Sequence, residues 1–232
     1  MELLFRNPKS PAWAIRTLFC PNGGAVIPRS VRTRSVTMHL FSTRFCYGAV
    51  AQAFHWLTAI LVVTAYFIGP GGSEQRVYSS ALDFTRQTHE TLGVTVFALV
   101  LVRLLWRLMD TAPEDPPMKP WMRYSAKLVH LVLYGLLIAI PVSAIVGAWL
   151  EGHPLTLWGF GNIGPLLPPV HDVGLSVAAL HTTLGNIILW VAGLHAVAAL
   201  FHHFLLRDSV LLSMLPGRWR WPPLRASGKN SS

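Results

Sequence analysis

The chain has 232 residues, a mean hydropathy of +0.45 and only 12% charged residues. Soluble domains average about 25% charged, so the composition argues against a soluble domain and for a membrane protein. The net charge is +9, but the basic residues flank apolar spans, which points to orientation in a membrane and leaves no nucleic-acid partner expected.

Residues 1–40 read as a disordered leader or a false N-terminal extension. Met1 to Thr37 is rich in Arg, Ser and Pro, with Glu2 its only acid. Cys20 and Cys46 have neither metal nor redox spacing, and no disulfide framework is expected. Four apolar spans follow within residues 41–216. Span one covers about Tyr47 to Ile68 and ends at Gly69, Pro70, Gly71 and Gly72. Span two covers Thr88 to Leu108, and a Pro-rich acidic loop follows it. Span three covers Ser125 to Leu150, with a kink expected at Pro141. Glu151 to Gly174 reads as a loop. Span four covers Leu175 to Leu206, and residues 217–232 form a basic tail.

Lys and Arg number seven before span one, two in the next connection, five between spans two and three, none in the next loop and five after span four. The positive-inside rule then puts both termini and the middle connection in the cytoplasm. The fold class is an all-α, four-transmembrane-helix bundle, N-in and C-in.

Topology gives each histidine a depth. His181 and His195 lie 14 residues apart in span four. That is about 21 Å of helix, about 40° short of whole turns, so both stand on nearly one face. His89 shares the outer layer with His181, and His55 shares the inner layer with His195. Polar groups at such depths face the bundle interior and carry function. Two layers of paired imidazoles are what two bis-histidine haems need. Zinc, copper or iron alone also suit imidazole. Zinc sites, however, want four close ligands, and Glu90 is the one acid at these depths.

His89-Glu90-Thr91-Leu92-Gly93 and His181-Thr182-Thr183-Leu184-Gly185 share the form H-x-T-L-G. Each Gly lies one turn deeper on the face of its His. The missing side chain leaves room for a flat macrocycle, although small residues also serve close helix packing. Gly193 stands near His195 with a less telling spacing. His130, in span three, competes with His55 as a ligand or meets a haem propionate. Arg103 and Arg107 either snorkel to the interface or pair with propionates. His202 and His203 read as interfacial, His153 and His171 lie in the outer loop, and His39 is set aside. Arg76 and Arg86 are candidates for attracting an anion at the outer mouth.

These segments resemble the bacterial cytochrome b561 family of di-haem membrane cytochromes. The resemblance rests on AFHWLTAILVV in span one, THETLG and VRLLWRL in span two, and HLVLYGLLIAIPVSA in span three. The fullest likeness is LHTTLGNIILWVAGLHAVAALFHHFLLRDSVLLSMLPG, over span four and beyond. It covers Phe41 to Pro216. It implies two haem b groups (protohaem IX), one held by His55 and His195 and the other by His89 and His181. It also implies a multi-pass protein of the bacterial inner membrane that exchanges electrons with the quinone pool, ubiquinone included. One branch of the family acts on superoxide, which makes a superoxide:quinone-type oxidoreductase an expectation, with the electron donor unknown. Two alternatives are a haem-bearing anchor subunit of a dehydrogenase or hydrogenase, and a histidine-lined divalent-metal transporter.

Overall fold

The computed structural model describes residues 40–43, 46–114 and 118–215. The leader, His39, Cys20 and the basic tail lie outside the described residues. Cys46 is buried and disulfide-bonded, a single bridge at most in a chain with two cysteines.

Four long helices carry the fold: α1 (Ala49–Ile68), α3 (Asp83–Met109), α4 (Pro120–Glu151) and α5 (His171–Phe201). Short helices α2 (Glu74–Val77) and α6 (Val210–Met214) flank them. All four long helices are apolar enough and long enough to cross a bilayer. Strands β1 (Leu155–Leu157) and β2 (Gly161–Ile163) form an antiparallel hairpin between α4 and α5.

Local chemistry sets the helix ends. Hydropathy places the starts of three helices too late, because a polar residue ends the apolar run without ending the hydrogen-bonded helix. α3 begins at Asp83, five residues before the expected Thr88, and α4 begins with Pro120 in its first turn. α5 begins at His171, within the expected loop. α4 stops at Gly152, whose φ of +87° suits glycine. There the Gly152 N–H donates to the Trp149 carbonyl and the His153 N–H to the Ala148 carbonyl, satisfying two end-of-helix acceptors. Pro141 is buried and does not interrupt α4.

The bundle is two closely packed pairs, α1 with α3 and α4 with α5. The second pair is tightest where Gly147 and Gly174 let backbones meet. A Cβ on Gly147 would lie 3.2 Å from the Ala178 nitrogen, and one on Gly174 2.7 Å from the Glu151 nitrogen. Buried Val96, Val100, Leu136 and Ile188 form a small core. Leu57, Ile60, Leu105, Leu131, Trp190 and Val197 are exposed, as a lipid-facing surface requires. The histidine rings reach from one helix pair toward the other.

Candidate functional site

At the hairpin end of the bundle, His89 of α3 and His181 of α5 face each other. Their ring centroids are 6.1 Å apart and their planes cross at 86°. His89 Nδ1 lies 2.9 Å from the Ala65 carbonyl on α1, and His181 Nδ1 lies 2.9 Å from the Ile140 carbonyl on α4. A carbonyl oxygen only accepts, so both Nδ1 atoms carry the proton and donate. In the neutral ring Nε2 then keeps a lone pair. All four long helices thus take part in this layer. The same device fixes tautomer and ring orientation in histidines that ligate metals.

A cavity of about 650 Å³ opens beside these rings. His89, His181, Gly93 and Gly185 line it. A Cβ added to Gly93 or Gly185 would meet nothing within 4 Å. The volume falls within the range of cofactor sites, about 300–1,000 Å³. An imidazole nitrogen binds a metal at about 2 Å and sits about 1.1 Å from its ring centroid, so an axial pair spans about 6.2 Å. The 6.1 Å separation and the empty glycine face fit a flat macrocycle with an imidazole on each side.

At the opposite end, His55 of α1 and His195 of α5 have centroids 6.4 Å apart, planes crossing at 66°. His130 of α4 lies 5.2 Å from His195, short for an axial pair. Here the Nδ1 of His55 faces a donor instead: Arg103 Nη2 lies 3.4 Å away. Guanidinium cannot accept, so Arg103 favours the opposite tautomer in His55. Arg103 turns inward, with its guanidinium carbon 5.5 Å from the Tyr134 ring centroid. Arg107 reaches the same ring at 5.9 Å but is exposed.

Other expected residues separate from these layers. Gly193 is exposed and does not line the cavity, so its open space lies on the bundle surface. His202 pairs with Asp208 at 2.5 Å. Arg86 does not offer a free charge to an anion. It bonds Asp83 at 2.9 Å, Glu90 at 3.0 Å and the Thr156 hydroxyl at 2.9 Å. Arg76 donates to the Gly71 carbonyl.

Sequence reasoning missed the polar floor under the hairpin. Glu90 accepts the Thr156 N–H at 2.5 Å, Thr91 accepts the Trp158 N–H at 3.0 Å, and the Trp158 indole donates to Thr88 at 3.2 Å. These bonds seat the hairpin on the first turns of α3, over the cavity. The i, i+3 and i, i+4 spacing of Asp83, Arg86 and Glu90 was the available signal. Tyr78 stacks on His153 with centroids 3.5 Å apart, and burial first, then nearby Glu151, pushes its hydroxyl pKa upward.

Four membrane-length helices, facing imidazole pairs and a macrocycle-sized cavity define a membrane b-type cytochrome. The sequence profile of the prokaryotic cytochrome b561 family matches residues 46–217, and the chain belongs to that family. Cytochrome b561 homolog 2 of Escherichia coli K12 is 29% identical over 170 residues, 73% of this chain and 90% of the relative. Cytochrome b561 homolog 1 of the same organism is 31% identical over 169 residues, 71% of this chain and 93% of the relative. A protein of Yersinia pestis named probable superoxide oxidase CybB is 33% identical over 174 residues, 73% of this chain and 96% of the relative. The chain is accordingly a haem-binding electron-transport protein of a bacterial membrane.

Proposed function

We propose that the chain holds two haem b groups in series and relays electrons between them. The observation that carries this reading is the pair of cross-bundle imidazole separations, 6.1 Å and 6.4 Å, each close to an axial span. Haem held between paired imidazoles would supply one-electron chemistry, favouring electron passage over oxygen binding.

In this reading His89 and His181 would hold one haem through Nε2, with the Ala65 and Ile140 carbonyls orienting their rings. Gly93 and Gly185 leave the face beside those rings open. His55 and His195 present Nε2 to the second iron. For that, His55 takes the Nδ1–H tautomer and Arg103 leaves it. The guanidinium then pairs with a propionate, for which its planar fork is suited. His130 lies beside His195 as a neighbour to the second site.

The Lys and Arg distribution supports both termini in the cytoplasm, so the hairpin end faces outward in the bacterial inner membrane. The quinone pool is the acceptor. The likeness to a relative named probable superoxide oxidase makes superoxide the first donor to test. In the balanced reaction two superoxide ions yield two O₂, and one quinone takes two electrons and two protons. The test is quinol formation by the purified haem-loaded protein given a steady superoxide source. Quinol formation above the uncatalysed rate, lost in His89→Ala, is expected. A rate equal to the uncatalysed one removes superoxide as the substrate.

A further inference from the structure

Four side chains from separate stretches of the chain meet at the hairpin end. Glu74 opens α2, Glu151 closes α4, His153 follows α4 by two residues, and His171 opens α5. One Glu74 oxygen lies 2.8 Å from His153 Nε2, and the other lies 3.4 Å from His171 Nε2. Donor atoms of Glu74, Glu151 and His153 all lie within 4.8 Å of one another. No other such group of three His, Cys, Asp or Glu occurs among the described residues.

A hydrogen-bonded ion pair accounts for Glu74 with His153. It does not account for Glu151. Two carboxylates at this spacing repel unless a cation or a proton lies between them. The nearby arginines are committed elsewhere, Arg86 to Asp83 and Glu90, and Arg76 to the Gly71 carbonyl. Among the described residues no Lys or Arg forms a salt bridge with Glu74 or Glu151. The site is also partly desolvated and held: the Glu74 side chain is 16% exposed, and Tyr78 stacks on the His153 ring. Such a support orients a ligating imidazole.

Two carboxylates and two imidazoles suit a divalent first-row metal ion, Zn²⁺ above all. Ca²⁺ and Mg²⁺ prefer all-oxygen shells. We propose that Glu74, Glu151 and His153 bind one Zn²⁺-class ion, with His171 as the fourth ligand. Bonds of about 2.0–2.2 Å draw the donors inward from their present spacing. His171 is 54% exposed and turns readily. The ion ties the connection between α1 and α3 to the end of α4 and the start of α5. Glu74 and Glu151 line the large cavity, so this clasp lies beside it. The site is separate from the four paired histidines and does not depend on their role.

The test uses the full haem-loaded chain in detergent, with any affinity tag removed and metals stripped by EDTA. Zn²⁺ alone is titrated by calorimetry and counted by mass spectrometry. One ion per chain is expected. Glu74→Gln and His153→Asn each weaken binding by about tenfold or more, and in His153→Asn, at a position that does not line the large cavity, the reduced-minus-oxidised haem spectrum stays unchanged. No binding by the unmodified chain, or binding by both variants as tight as that of the unmodified chain, overturns the proposal. Should either variant lose haem through misfolding, His171→Asn takes its place. A loss of about tenfold there supports the site, and unchanged affinity overturns it.

Discussion

His89 and Gly69 are locked to each other across the α1–α3 pair. His89 Nδ1 donates to the Ala65 carbonyl at 2.9 Å, and a Cβ on Gly69 would come within 3.2 Å of His89 Cε1. That is tighter than ordinary van der Waals contact, so a side chain there makes the ring give way by a few tenths of an ångström. Gly69 has φ of −52°, so substitution there acts through the histidine and not through backbone strain. Gly69→Leu is expected to push the ring off its carbonyl. Haem affinity in the hairpin-end layer should fall by about 10–100-fold, the usual effect of losing an outer-shell partner. The measurement is haem titration of the stripped protein. Two unchanged binding phases would contradict the account.

Gly185 and Gly193 differ in what their open space adjoins. Both see open space, but Gly185 lines the cavity and Gly193 is exposed. Gly185→Leu is expected to fill the space beside His181 and lower haem content from two per chain to one. Gly193→Leu should keep both. Equal loss in the two variants would mean that the glycine face is a helix-packing feature alone.

Arg103 offers a test by potential. In the proposed arrangement it would pair with a propionate of the second haem, and a nearby cation favours the reduced state of the adjacent iron. Arg103→Leu is expected to lower one of two midpoint potentials by about 60 mV, the tenfold equivalent of a one-electron couple. Arg103→Lys should restore most of the shift. A titration in which neither midpoint moves would return Arg103 to an anchoring role at the interface.

Much of this architecture was legible in the sequence because apolar length and histidine depth are linear properties. The four spans, the facing partners of His181 and His195, and the glycine at offset four from His89 and His181 all follow from helical period. The supports of those histidines were not legible. Ala65 and Ile140 contribute main-chain carbonyls, which every residue carries. Helix ends were misplaced at Asp83, Pro120 and His171, because polar residues end the apolar run before the hydrogen-bonded helix ends. The meeting of Glu74, Glu151, His153 and His171 needs the loops folded over the bundle. Arg86 appeared free although its helical spacing from Asp83 and Glu90 was readable, whereas its bond to Thr156, 70 residues on, was not.

The central claim is two haems held in two imidazole layers. The direct measurement is a dithionite-reduced minus oxidised spectrum of the purified protein, with haem and protein quantified together. The same is done for His55→Ala, His89→Ala and His130→Ala. The account predicts two b-type haems per chain, one remaining in each of the first two variants, and two in the third. One haem in the unmodified protein, or loss of haem in His130→Ala with retention in His55→Ala, would contradict the pairing.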